Sequence, residues 1–358
     1  MSAPAKPKYR TTNWKTYNEA LKTRGSLLIW LDRDMSWHGS ANGKRGRSPK
    51  YSEAAIQFCL TIKGLFNLAL RQAMGMAQSL LKLAGLDWQV PDFSTVSRRQ
   101  KHLAVSIEAR PTTAGLHLLV DSTGIKMLGE GEWKTKKHGA DYRRQWRKVH
   151  LGIDATTLEI RAIEVTDNAT GDAPMLPCLL NQISEDESIA SVSGDGAYDT
   201  KLCHEAIAQR SAQAIIPTRK NAKPWKDERP GAKARNAILA ATRRLGRKIW
   251  KKWAGYHRRS LVETKMRCFK LLGERVMARD FDRQVAELQV RAAILIALLA
   301  LARRRRWPCH KSVWGLGHYV LKLFVQQSPI HERGSHRIQL PARRVLGRSP
   351  MLLSTACV

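Results

Sequence analysis

The sequence predicts an α/β fold, a layered domain on a mixed sheet preceded by an all-helical region. Three observations predict it. From Trp14 to about Arg110 apolar residues recur with the helical period. After Pro111 short apolar runs take over, each ending at an aspartate or a turn. Two further helical segments close the pattern, from about Tyr256 to Leu272 and from Arg283 to Ala302. The 358 residues are enough for two ordinary domains with a sizeable core.

In chain order, residues 1–10 read as a loose basic arm. Asn18-Glu-Ala-Leu-Lys starts one helix, and Ser52 is placed to cap another that begins Glu53-Ala-Ala-Ile. Phe66 to Leu83 is a long amphipathic segment. A turn follows at Asp87-Trp-Gln-Val-Pro-Asp, and then a short basic helix, Ser94 to Lys101. That outline is a helix-turn-helix with Ser94–Lys101 as its recognition helix and Arg98 and Arg99 as the DNA-contacting cations. Gly39 to Arg47 is a polar loop. Its Gly43-Lys44 has neither the spacing nor the following Ser or Thr of a phosphate-binding loop.

Beyond Pro111, Leu116-His-Leu-Leu-Val is a buried strand running into Asp121-Ser-Thr-Gly. Lys148–Ile153 and Leu158–Val165 form a hairpin with Asp154 at its tip. Ser188-Ile-Ala-Ser-Val-Ser-Gly is a strand ending at Asp195. A helix over Thr200–Ser211, a short strand at Ala214-Ile-Ile-Pro and a basic loop from Thr218 to about Lys252 complete the order. An antiparallel hairpin thus opens a mixed sheet.

Lys and Arg number 62 against 30 Asp and Glu, a formal net charge of +32. Such an excess points to a nucleic-acid partner, because cations that neutralise phosphates release condensed counterions. No amphipathic basic helix at either end supports a membrane surface as partner. The N-terminal residues lack the apolar core of a signal peptide, and the apolar run Ala292–Ala302 is too short to span a bilayer. The six cysteines are scattered without a Cys-x-x-Cys pair, which argues against a zinc site or a disulfide framework and for a reducing cytoplasm.

The most informative stretch is Tyr256 to Lys270. On an α-helix that turns about 100° per residue, Tyr256, Arg259, Glu263, Arg267 and Lys270 fall within about 80° of one another. One acid in a row of cations suits a metal ion beside a polyanionic backbone. The same spacing also suits a solvated face of Glu–Arg pairs at i,i+4, and spacing alone leaves both readings open. Asp121 and Asp195 each follow an apolar strand. Gly194 and Gly196 flank Asp195, where missing side chains would let a phosphate backbone approach. With Glu263 they make a set of three carboxylates, which suits two divalent cations in an in-line phosphoryl displacement. Asp154 and Asp172 are read as turn or loop acids, and Asp199 as the cap of the helix beginning at Thr200.

These residues resemble the bacterial insertion-sequence transposases of the DDE class, with a ribonuclease-H-like catalytic domain. The nearest group is similar to the insertion-sequence family numbered five. Its signature of Tyr, two residues, Arg, three residues, Glu, six residues, Lys is met by Tyr256, Arg259, Glu263 and Lys270. Val120-Asp-Ser-Thr-Gly-Ile-Lys and Gly194-Asp-Gly-Ala-Tyr-Asp resemble the motifs of the first and second acids. The opening Tyr9-Arg-Thr-Thr-Asn-Trp resembles the start of the group, and the likeness extends over about residues 9–302.

The resemblance implies that Asp121, Asp195 and Glu263 are catalytic and hold two Mg²⁺, or Mn²⁺. Arg259 and Lys270 would bind DNA phosphates beside the cut, and Tyr256 would position the backbone. Arg267 joins them by helical geometry alone. Trp250 or Trp253 would stack on a displaced base or pack in the core. Lys134-Thr-Lys-Lys-His and Arg143-Arg-Gln-Trp-Arg-Lys are candidates for a DNA-backbone surface.

The organisation implied is a DNA-binding region over 1–110, a catalytic domain over 111–302 with a basic insert near 218–252, and an atypical basic tail over 303–358, expected to be disordered. The partners would be terminal inverted repeats and target DNA, met as a homodimer or larger assembly near the bacterial nucleoid. An inactive DNA-binding repressor and a simple nuclease are the alternatives.

Overall fold

The computed structural model describes residues 8–40, 48–108, 115–127, 146–301, 306–309 and 337–339. Its centre is a six-stranded mixed sheet. β1 (Lys8–Thr11) and β2 (Ser106–Glu108) lie outside that sheet, which is built from β3 (Leu116–Met127), β4 (Trp146–Asp154), β5 (Ile160–Thr166), β6 (Ile189–Ser193), β7 (Gln213–Ile215) and β8 (Arg275–Val276). The order is β5-β4-β3-β6-β7, with β8 beside the far end of β3. β3, β4 and β5 are antiparallel, and β6, β7 and β8 join in parallel. The hairpin read from sequence is β4–β5. Asp154 makes its turn by accepting the amides of Thr156 and Thr157, both at 2.9 Å.

Alternation along β3 divides the molecule into layers. Leu119 and Ile125 face one core with Val149, Leu151 and Ile153 of β4, whereas Leu116, Leu118 and Val120 face the other. The first core is covered by the N-terminal helices α2 (Glu53–Phe66), α3 (Leu70–Leu83) and α4 (Phe93–Gln100), which follow α1 (Trp14–Arg24). The second is covered by α5 (Met175–Asn181) and α6 (Lys201–Gln209). Helix propensity and apolar stripes form these elements, and the two sheet faces hold them.

The structure adds to the sequence reading or departs from it in several places. Residues 218–252, expected as a basic loop, contain α7 (Pro230–Leu245) and α8 (Arg247–Trp253). Pro230 opens α7 at a position where its missing N–H has no cost. The two helices of the helix-turn-helix outline are found at Leu70–Leu83 and Phe93–Gln100, joined by a connection over residues 84–92. Trp37 stacks on Trp88 of this connection at 5.1 Å and donates from Nε1 to the Gln89 carbonyl. The tail, expected to be disordered, supplies β9 (Arg306–Cys309), paired with β1, and β10 (Arg337–Gln339), paired with β2; the rest of it lies outside the described residues. Lastly, Tyr256–Arg259 is a 3₁₀ turn, and the α-helix α9 begins only at Ser260 and ends at Leu271.

The last helix among the described residues, α10 (Phe281–Leu301), is long and apolar enough to match a membrane span by length and composition. It lies in the core. Ala286, Leu288, Val290, Ala292, Ile294 and Ile296 are buried in the cluster that includes the N-terminal helices. Its polar residues are paired: Lys63 and Arg291 both reach Glu287, which accepts the Met277 and Ala278 amides.

Candidate active site

Strand register brings the first two acids together. β6 runs parallel to β3 with Leu119 opposite Ser193 as their last pair. Two residues further along each chain are Asp121 and Asp195, so the register places them side by side, roughly 5 Å apart by strand spacing. Asp121, expected at the end of its strand, lies inside β3, which runs on to Met127, and only Asp195 follows a strand end. β8 pairs β3 only from Lys126 onward, and the edge of β3 between the two partners is open where Asp121 lies. Asp195 accepts the Ala197 amide at 2.9 Å, which fixes it as the cap of a 3₁₀ turn. Gly194 does not serve backbone approach as expected. A Cβ there would lie 2.8 Å from the ring of Tyr198, so the missing side chain makes room for that buried tyrosine.

Glu263 stands on the first turn of α9, and Arg259 one turn before it. Arg259 Nη1 is 2.5 Å from Asp121 Oδ2, and its Nη2 is 2.6 Å from Glu263 Oε1. The i,i+4 pair is therefore more than a surface ion pair, because the same guanidinium reaches Asp121 of β3. Tyr256 hydrogen-bonds Arg259 as well. Burial pushes the Asp121 carboxyl above its ordinary range and the Asp195 charge adds to this, while the Ser122 amide and Arg259 oppose both. Burial and the Asp195 charge likewise raise the Tyr256 hydroxyl, against Arg259.

The structure thus brings Asp121, Asp195, Tyr256, Arg259 and Glu263 to one place. Arg267 and Lys270 lie further along α9, Arg267 exposed and Lys270 half-buried. Arg98 and Arg99 are apart from this site on α4. Arg98 is exposed, whereas Arg99 donates to the Tyr51 carbonyl at 3.0 Å and pairs with Glu53. α4 itself is held to the start of α10, since Gln100 donates to the Arg283 carbonyl and Arg283 to the Ser97 carbonyl, both at 2.8 Å. Lys134–His138 and residues 143–145 lie outside the described residues.

Two features were missed from sequence. Asp172 lies on the opposite face of the sheet, where Ser122 hydrogen-bonds it and Lys148 Nζ is 2.9 Å away. His150 of β4 is 3.5 Å from the same carboxylate and fully buried. The signal was present in the alternation, since Ser122 pairs with His150 across the β3–β4 ladder. Asp199 is not a helix cap; Thr200 takes that role by accepting the Cys203 amide.

The donor chemistry of three carboxylates suits hard divalent cations, but the arrangement does not accept one as it stands. Arg259 occupies the space between Asp121 and Glu263, and among the described residues no three His, Cys, Asp or Glu side chains are grouped to hold a metal ion.

The site is thus built on a mixed α/β domain, with Asp121 inside β3, Asp195 just past β6 and Glu263 on a later helix. Residues 112–297, just over half of the chain, match a family model described as a transposase DDE domain, and residues 22–130 match a second model of the same description. The chain belongs to the DDE transposase family. The mixed α/β architecture is consistent with a ribonuclease-H-like DDE domain, and members of the family generally use divalent metals.

Proposed function

We propose that the protein is the transposase of an insertion sequence similar to family five, acting on its own element's terminal inverted repeats. It cleaves a phosphodiester at each end in a reaction that depends on divalent metal. The oxygen of water bonds to phosphorus, the P–O3′ bond breaks, and the departing 3′ oxygen leaves as a hydroxyl. That hydroxyl then attacks a target phosphodiester, so one P–O bond forms as another breaks. The metal, Mg²⁺ or Mn²⁺, would supply charge stabilisation at the reacting phosphate.

Asp121, Asp195 and Glu263 are the residues that would hold it. Arg259, Lys270 and Arg267 would clamp the DNA backbone, with Tyr256 orienting it, and Arg98 would add a contact from α4. Arg99, already paired with Tyr51 and Glu53, is the weaker member of that set. The observation that carries this reading is Arg259, which joins Asp121 of β3 to Glu263 of α9, with the Asp195 charge beside Asp121. The working unit would be a dimer or larger on DNA, located in the cytoplasm with the nucleoid.

The test is incubation of the purified chain with labelled element-end duplex, target plasmid and Mg²⁺ or Mn²⁺. Cleavage with joined products is expected, and Asp195→Ala should abolish both. Binding without cleavage would identify a repressor, and cleavage without joining a nuclease. Full cleavage by Asp195→Ala would overturn the site.

A further inference from the structure

We infer that Arg259 is a built-in counter-ion that holds the acids in the metal-free protein and has to leave before a divalent cation enters. This rests on the metal-dependent reading above and says how that site is loaded.

The geometry points to it directly. Each terminal nitrogen of the guanidinium is spent on a different carboxylate, one on β3 and one on α9, at 2.5 Å and 2.6 Å. Asp121 and Arg259 are mostly shielded from solvent, with 18% and 20% of their side-chain surfaces exposed, so their charges are poorly screened. Asp195 adds a second negative charge beside Asp121. Without a cation, the like charges of Asp121 and Asp195 repel, and Arg259 supplies that cation from within the chain.

A divalent ion binding the same oxygens would lie in contact with the guanidinium, and the two cations cannot share the space. Arg259 has a second use once displaced. Its fork of donors fits phosphate oxygens as well as carboxylate oxygens. Exposed Arg258 precedes it, and exposed Arg267 follows on α9. A DNA phosphate drawn to this row would take over the guanidinium while the metal takes the acids. Metal entry and DNA docking would then favour each other, because each removes the competitor of the other.

Mn²⁺ binding, followed by titration calorimetry on the full chain, tests this without reference to activity. In the absence of DNA, Arg259→Gln should bind Mn²⁺ at least about tenfold tighter than the unaltered protein. It should also melt at a lower temperature in chelator. Arg259→Lys, whose single ammonium cannot fork between two carboxylates, should fall between them and serves if the Gln variant does not fold. Element-end duplex should tighten Mn²⁺ binding to the unaltered protein more than to Arg259→Gln. Unchanged or weaker Mn²⁺ binding by both variants would overturn the counter-ion role. If instead Asp121→Asn bound Mn²⁺ as well as the unaltered protein, the acids would not be the ligands and the metal-site reading itself would fall.

Discussion

Arg235 of α7 and Asp199 at the end of the sheet form a buried ion pair across 36 positions of sequence, with Arg235 Nε 3.1 Å from Asp199 Oδ1. Both side chains are almost wholly enclosed, and Asp199 also accepts the Arg219 amide at 2.9 Å. The pair ties the inserted helix to the strand end that carries Asp195. Asp199→Ala would leave the guanidinium buried without its partner, and the expected loss is about 3–5 kcal/mol, measured by urea denaturation.

Trp250 and Trp253 separate cleanly. Trp250 is 2% exposed and Trp253 is 72% exposed. Trp250→Ala should cost about 3–5 kcal/mol through the cavity it leaves. Trp253→Ala should change stability by no more than about 0.5 kcal/mol. If Trp253 stacks on a base, its loss weakens DNA binding by about 1–3 kcal/mol, read from affinity for single-stranded or distorted ends.

Salt dependence should sort the cations. Lys270→Ala and Arg267→Ala should each weaken DNA binding and lower the slope of log K against log salt by about one. Arg98→Ala should do the same, to a similar extent. Arg99→Ala should act mainly on stability, since its guanidinium holds the Tyr51 carbonyl at 3.0 Å. A full unit of salt slope lost in Arg99→Ala would reverse that assignment.

Acid should destabilise the fold through His150. Burial lowers its imidazole to about 4, with Asp172 raising it and Lys148 lowering it. A histidine depressed on folding is neutral in the native state and gains its proton first in the unfolded chain. Its stabilising effect is complete above the unfolded value of about 6.5 and is lost as pH falls toward 4. The expected loss across that window is roughly 3 kcal/mol. His150→Gln, which cannot titrate, should flatten the melting temperature between pH 6.5 and 4.5.

Much of the sheet was legible because its signals are local. The β4–β5 hairpin follows from two apolar runs around Asp154, and Asp121 and Asp195 stand out because each follows an apolar run and precedes small or polar residues, although β3 runs on past Asp121 to Met127. The insert was misread because its helices carry many cations, and charge density resembled a loop. α7 buries little of its own surface, chiefly Gly231, Ala232, Arg235 and Leu239, so its apolar stripe is narrow. Asp199 was misread because its residue type suits a cap equally well, and only Arg235, 36 positions away, distinguishes the two.

The sequence by itself determined the order of the main sheet strands, the three acids and the spacing that puts Arg259 one turn before Glu263. These follow from period, turn chemistry and helical pitch, which act over a few residues. The tertiary structure alone decided that Asp121 and Asp195 are neighbours, through the parallel register of β3 and β6. It alone decided that Arg259 bridges Asp121 to Glu263 instead of pairing at the surface. Those contacts depend on how distant segments pack against a shared core, and no local pattern encodes which of several acids a long guanidinium will reach.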